Sequence, residues 1–425
     1  MTRGKIQPIS GMHDLLPEVA PGWQLVESTM RALLHAHAYD EIRVPLVENT
    51  ELFKRAIGEY TDVVEKEMYS FVDQGGDPLT LRPEATAGIA RAVISNNMLR
   101  GARHKLWLIG AMFRHEKPQR GRFRQFYQID VEAIGFHGPD VDIELIGLAA
   151  ALWQALGINR VRLEINSLGN PEARRTYREA LVAYFCAHES ELDGDSRRRL
   201  EGNPLRILDS KNPDLAALIA AAPLLPDYLD AESQQHFRQL RAGLDALGIV
   251  YTVNPRLVRG LDYYSRTVFE WLTDALGAQA AICSGGRYDG LIAQLGGEAT
   301  PAIGFAMGIE RIVELMGQSR TLPPAALSEV FVMAQGEAAE AAALRLAAAL
   351  RQALPGRRIE LNMGGGNFKA QFRRADKSGA RLALLLGEDE MARGVVTMKP
   401  LRDSTAQSEV ALAEAVPRVA AWLNS

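Results

Sequence analysis

Residues 105–114 (KLWLIGAMFR) and 125–135 (QFYQIDVEAIG) read as two long strands around a polar loop that contains Pro118 and Gly121. This antiparallel hairpin restricts the fold more than any other segment. Side chains alternate between faces along a strand, so Gln128, Asp130 and Glu132 share one face of the second strand, while Tyr127, Ile129, Val131 and Ala133 share the other. One face is polar and one is core. Taken alone, the polar face is the wet side of an antiparallel sheet. The loop shifts that reading, because Arg114, Lys117, Arg120, Arg122 and Arg124 crowd it with Gln119 against the single acid Glu116. Guanidinium groups in a tight turn beside a polar strand face suit a polyphosphate or the end of a nucleic acid.

A second cationic set, Arg259, Arg287 and Arg311, lies in the glycine- and tyrosine-rich contexts RGLDYYSR, SGGRYDG and GFAMGIER, where glycine lets the backbone approach a ligand closely. There is no Gly-x-x-x-x-Gly-Lys-Ser/Thr, and no Gly-x-Gly-x-x-Gly between a strand and a helix, so a bound nucleotide needs another architecture. The triple glycine at 364–366 precedes a helix and reads as a turn. The histidines are scattered without a His-Glu-x-x-His, so His13, His35, His37 and His104 read as surface or core residues rather than metal ligands. Cys186 and Cys283 are the only cysteines, which excludes a disulfide framework and fits a reducing compartment. Net charge is −4, from 48 basic and 52 acidic residues, so any nucleic-acid contact must come from local patches.

A chain of 425 residues, 47% hydrophobic and 24% charged, falls in the globular range, with a length that implies about two to four domains. Its richest apolar stretch, 145–158, is the length of a buried helix and carries Gln154, so no membrane span is expected. The first 17 residues lack the apolar core of a signal peptide and read as unprocessed. A helix at 22–37 is expected to feed a strand at 42–47. After a strand at 160–165, residues 170–248 change to charged and Ala/Leu-rich helical stretches broken by Gly and Pro, an insertion. Strands return at 250–253, 267–272, 280–283 and 303–305, with a helix at 308–316. The expected layout is therefore a first domain in two parts, 1–169 and 249–320, a helical insertion at 170–248, a linker at 321–328 with Pro323 and Pro324, and a small βαβα domain at 329–425.

In chain order, the blocks GMHDLLP (11–17), RVPLVENTELFKRAIGE (43–59), TLRPEATAG (80–88), FRHEKPQRGRFRQF (113–126), LVRGLDYYSRTVFEW, SGGRYDGL, AIGFAMGIERI (302–312) and GGGNFKAQFRRADKSGA resemble the bacterial class II histidyl-tRNA synthetases over essentially the whole chain. The resemblance implies an α+β fold: an antiparallel catalytic sheet flanked by helices, a helical insertion near the tRNA acceptor stem, and a C-terminal α/β anticodon-binding domain. It also implies a cytoplasmic homodimer built through the block at 43–59. The implied reaction joins L-histidine to tRNA(His) through histidyl-adenylate, consuming ATP with Mg²⁺ and releasing AMP and pyrophosphate. The Mg²⁺ ligands are not specified.

The same resemblance implies residue roles. Arg259 is the catalytic arginine, touching the amino-acid carboxylate and the α-phosphate, and Arg114 holds the α-phosphate; Arg122 and Arg311 hold the outer phosphates. Glu132 and Tyr264 contact the imidazole, Glu84, Thr86 and Gln128 hold the α-ammonium, and Tyr263 and Tyr288 line the pocket. Ala85, in the same histidine-binding stretch, stands where many relatives have Gly. Gln119 and Arg120 are implied to meet the tRNA acceptor end. Lys369, Arg373 and Lys377, four residues apart on one helix face beside Phe368 and Phe372, are candidates for the anticodon arm. A carboxylate nucleophile is already ionised near neutral pH, so the chemistry needs positive charge and positioning rather than a general base. The competing readings are an accessory subunit that binds histidine or tRNA without catalysis, and an acid-activating ligase that uses no tRNA. The intact arginine set and the C-terminal block weigh against both.

Overall fold

Strands His104–Phe113 and Gln125–Ile134 pair antiparallel in one register, with Gln128 opposite Gly110, Asp130 opposite Leu108 and Glu132 opposite Leu106. In this computed structural model, which describes residues 5–58, 61–118, 121–208, 210, 212–259, 261, 263–277, 281–319, 322–325, 327–403 and 405–424, they belong to an eight-stranded sheet. Its order is Asp40–Glu41, His104–Phe113, Gln125–Ile134, Ala302–Gly308, Ala281–Arg287, Ser265–Leu272, Arg162–Ser167 and Tyr251–Val253. Only the outermost pairings are parallel.

The apolar face of the sheet carries Ile129, Val131 and Ala133, all fully buried. Helix Ala20–Ala36 packs there through Val26, Met30 and Leu34, a stripe at helical spacing. Helix Asp140–Leu156 adds Leu145, Leu148 and Leu152, and ends at Gly157 with φ 69°, a left-handed cap that glycine adopts without steric cost. Helix Ile309–Ser319 closes this layer through Ile312, Leu315 and Met316.

The opposite face is not wet. A second core runs over it, joining Phe53, Ile89 and Leu108 to Leu181 and Phe185 of helix Pro171–Ala187. Asp130 and Glu132 are each 1% exposed as a result. Residues between strands Arg162–Ser167 and Tyr251–Val253 form only helices and their connections among the described residues, the longest being Pro171–Ala187 and Ala231–Ala246.

The expected strand at 42–47 is broken into two short pieces: Asp40–Glu41 joins the large sheet, and Val47–Asn49 joins a three-stranded sheet with Pro78–Leu81 and Tyr69–Val72. Pro45, which has no N–H for a ladder, lies in the gap. There the Val44 carbonyl accepts from Arg82 Nη1 at 3.1 Å.

The chain divides into two units, Met1–Pro323 and Pro324–Ser425. The second has a five-stranded sheet in the order Ile359–Leu361, Val330–Ala334, Leu382–Leu386, Val395–Pro400 and Ser408–Ala411. The first three strands are parallel, as βαβα alternation predicts, but the last two are antiparallel. Helix Glu337–Ala353 buries Ala343, Leu346 and Leu350 against this sheet. Helix Phe368–Lys377, capped by the Asn367 side chain, packs Phe368 and Phe372 on the other face against Phe331 and Ala383. Among the described residues no helix is long and apolar enough to cross a membrane.

Candidate active site

The enclosed polar face is the floor of a cavity of about 490 Å³. Next to Gln128, Asp130 and Glu132 the adjoining strand Ala302–Gly308 places Gly308, Ala306 and Gly304 in register. Small residues beside long polar ones leave the floor open. Glycine at 304 is required, because a Cβ there would collide with the Glu132 carboxylate and come within 2.7 Å of the Val131 carbonyl.

Glu132 does not open directly onto the cavity. Its carboxylate accepts from Thr86 Oγ1 at 2.6 Å and from the Tyr288 hydroxyl, and both donors are lining residues. Burial pushes its pKa up to about 8, against the lowering effect of those two hydrogen bonds. Glu84 accepts the amide N–H groups of Thr86 at 2.9 Å and Ala87 at 3.0 Å, capping helix Thr86–Ser95, and burial raises its pKa as well. Ala85 is fully buried at the start of this helix with φ −100°, so its methyl group costs no backbone strain. Tyr263 packs on Tyr264 and Tyr288, with ring centroids 4.6 and 5.5 Å apart, forming an aromatic wall.

Arg114, Arg122, Arg259 and Arg311, from distant parts of the sequence, all line this cavity. Arg259 pairs with Glu270 and lies 5.2 Å over the Tyr264 ring. Arg114 donates Nε to the Pro83 carbonyl at 2.8 Å and lies over Phe126. Arg122 pairs with Glu116 at 2.8 Å, and Arg311 donates to the Gly121 and Ala281 carbonyls. These contacts fix each guanidinium while leaving it at the cavity wall. Arg287, grouped with Arg259 and Arg311 by sequence context, is instead fully buried. It donates Nε to Asp142 at 2.9 Å, Nη1 to Asp289 at 3.1 Å and to the Phe136 carbonyl, and Nη2 to the Phe136 and Gly138 carbonyls. It ties strand Ala281–Arg287 to helix Asp140–Leu156 and does not line the cavity.

Gln119 and Arg120 lie outside the described residues. Lys369, Arg373 and Lys377 are exposed on helix Phe368–Lys377 of the second unit. Of the lining acids given no role from the sequence, Glu270 and Asp130 bear most on the site. Glu270 holds Arg259, and its position in VFEW gave no hint of that. Asp130 shares the floor with Gln128, and the strand period alone identified its face. Among the described residues no group of three or more His, Cys, Asp or Glu is placed to hold a metal ion.

A family model described as histidyl-tRNA synthetase matches residues 11–312, and one described as an anticodon binding domain matches residues 329–422. The crystal structure of apo histidyl-tRNA synthetase from S. aureus is similar over 97% of this chain and 99% of its own, at 33% identity and a TM-score of 0.81. A histidyl-tRNA synthetase from Nostoc shares the fold at 21% identity and a TM-score of 0.67, over 99% of this chain and all of its own. A Bacillus halodurans protein titled ATP phosphoribosyltransferase regulatory subunit/histidyl-tRNA synthetase shares it at 23% identity and 0.65, over 91% of this chain and 99% of its own. With one model spanning most of the first unit and the other most of the second, the chain belongs to the histidyl-tRNA synthetase family.

Proposed function

We propose that the 490 Å³ cavity is where this histidine–tRNA ligase forms histidyl-adenylate from L-histidine and ATP and passes the histidyl group to tRNA(His). One observation carries the assignment of chemistry to residues: Arg114, Arg259 and Arg311 converge on a cavity whose other end is built from buried acids and tyrosines. The histidine carboxylate attacks the α-phosphorus and pyrophosphate leaves. Negative charge gathers between nucleophile and nucleotide, where Arg259 and Arg114 neutralise it, with Arg122 and Arg311 on the outer phosphates. Glu270 holds Arg259 by an ion pair, so this guanidinium needs little reorganisation when substrate arrives.

At the acidic end, a neutral imidazole offers one donor and one acceptor. Glu132, which lies behind Thr86 and Tyr288 in the free site, takes the ring N–H when the ring displaces the Tyr288 hydroxyl from it, and the Tyr264 hydroxyl serves the other nitrogen. A ligand without those groups leaves buried polar atoms unpaired, which discriminates by roughly 10⁴ or more. Glu84, Thr86 and Gln128 hold the α-ammonium. Glu270 and Glu310, both at the cavity wall, carry the oxygen donors that would hold Mg²⁺ beside the ATP phosphates, where it would neutralise their charge; such an ion needs only one or two protein carboxylates.

For tRNA, Gln119 and Arg120 meet the acceptor end and Lys369, Arg373 and Lys377 meet the anticodon arm; the exposure of the latter three supports this. In domain terms, 1–169 and 249–320 form the catalytic part, 170–248 the insertion, 321–328 the linker and 329–425 the anticodon-binding domain. The block at 43–59 builds a homodimer, supported by the exposed Leu46 and Val47. The site of action is the cytoplasm, supported by two free cysteines and no disulfide.

Charging of an unfractionated tRNA mixture with labelled histidine tests the reading, together with histidine-dependent pyrophosphate exchange. Label transferred to one acceptor, with exchange lost in Arg259→Ala, is the expected result. A wild type that binds histidine but neither exchanges nor charges refutes it in favour of an accessory subunit.

A further inference from the structure

Asp130 has no part in the assignments above. Its side chain is 1% exposed and lines the cavity, yet neither carboxylate oxygen has a hydrogen-bond partner among the described residues. Gln128 Oε1, two positions earlier on the same strand face, is also buried without a partner. Buried acceptors are almost always satisfied, and a carboxylate without a donor is the costliest exception. Three orphaned acceptor atoms at adjacent positions of one floor therefore call for a ligand that brings several donors.

Thr86 and Tyr288 donate to Glu132, and Arg259 pairs with Glu270. The charges of Arg82 and Arg114 favour the Asp130 carboxylate, but Arg82 donates to the Val44 and Ala111 carbonyls and Arg114 to the Pro83 carbonyl, and neither hydrogen-bonds Asp130. The chemistry of the substrates narrows the choice. Phosphate and carboxylate groups bring only acceptors, and a neutral imidazole brings one donor. A primary ammonium brings three donors, no acceptor and a positive charge. Glu84, the other acid at this end, already accepts two helix amides.

We propose that Asp130 is a further anionic partner of the substrate's α-ammonium, added to Glu84, Thr86 and Gln128, with Gln128 Oε1 as the acceptor next to it. Asp130 is then a specificity residue: it selects amino acids with a free α-amino group over ring-bearing acids that lack one. The inference rests on the cavity being the histidine site.

The test is calorimetric titration of the full-length protein with two probes. Histidinol keeps the ring and the ammonium but has no carboxylate, whereas imidazole-4-propionate keeps the ring and carboxylate but has no ammonium. Asp130→Asn, which preserves shape and removes charge, is expected to weaken histidinol about 10- to 100-fold, the range of a charge-assisted hydrogen bond, and imidazole-4-propionate less than about twofold. Asp130→Ser is the second variant should the amide disturb folding, and the same contrast between probes is expected. Unchanged histidinol affinity overturns the proposal, as does an equal loss for both probes, which means a structural role. A wild type that binds neither probe and does not charge tRNA refutes the reading of the cavity itself, whereas a charging-competent wild type with an insensitive Asp130 variant refutes only the inference.

Discussion

Gly304→Ala tests whether the floor of the cavity holds Glu132 in a fixed place. The new Cβ would collide with the Glu132 carboxylate and sit 2.7 Å from the Val131 carbonyl. That carbonyl belongs to strand Gln125–Ile134, which is laddered on both sides and has little room to retreat. Glu132 must give way, although Thr86 and Tyr288 hold it. Overpacking of this kind costs about 1–3 kcal/mol, and loss of one hydrogen bond to a charged group about 1.5–3 kcal/mol. For the unit Met1–Pro323, at about 2.1 cal/mol/K of unfolding entropy per residue, the sum corresponds to a fall in Tm of roughly 4–9 °C. A ring contact of the same strength, once displaced, raises the histidine KM about 10- to 100-fold while the ATP KM moves little. Thermal unfolding, with pyrophosphate exchange at varied histidine, reads both numbers. Gly308→Ala is the control for stability: it lies in register with Gln128 on the same strand, but a Cβ there meets nothing within 4 Å. Wild-type Tm and histidine KM in Gly304→Ala would refute the placement of Glu132, and a lowered Tm with an unchanged KM would refute its contact with the ring.

Arg287→Met strands the buried Asp142 carboxylate and should cost about 3–5 kcal/mol of stability by denaturant titration, with much of the loss recovered by adding Asp142→Leu. Glu132 has a folded pKa of about 8 against 4.5 in its unperturbed state, through burial. Its folded form holds the proton more tightly than the unfolded chain, so the stability it contributes is present at low pH and is lost as pH rises through about 8. Glu132→Gln should therefore flatten part of the decline in Tm from pH 5 to about 8, measured without histidine. Replacing Lys369, Arg373 and Lys377 together with Ala should raise the tRNA KM and shrink the log–log salt slope of tRNA binding by about 2, with pyrophosphate exchange unaltered.

The alternation of QFYQIDVEAIG was enough to place Gln128, Asp130 and Glu132 on one strand face, and the stripe Val26, Met30, Leu34 was enough to place a helix. Period alone does not tell a wet face from an enclosed one. What covers this face comes from remote segments, among them Phe53, Ile89, Leu181 and Phe185. Arg287 shows the same limit from the other side: its glycine- and tyrosine-rich surroundings match those of Arg259, but Asp142, supplied by helix Asp140–Leu156, makes it an internal tie. The last two strands of the second unit escaped because Val395–Pro400 follows only a short helix, Glu388–Arg393, and the expected alternation offered no reason to reverse direction.

The cavity is polarised, and on the proposed reading that polarity orders the substrates without a general base. Asp130 and Glu84 lie at one end with Glu132 just behind; burial raises the pKa of all three, and Glu132 and Glu84 add to that at Asp130, as Glu84 does at Glu132. Arg122 and Arg311 gather at the other end, where Arg122 and Arg114 add to burial in lowering the pKa of Arg311 while Glu116 and Glu310 oppose it, and Arg114 also reaches Glu84 and Asp130 with its charge. Crowded acids make the free site costly at one end, and a cationic ligand relieves it; at the other end Glu116 already offsets Arg122. On the proposed reading, a zwitterionic amino acid with its ammonium among the acids points its carboxylate toward the arginines, where the polyphosphate lies, so nucleophile and α-phosphorus meet in an arrangement that the folded sheet already favours.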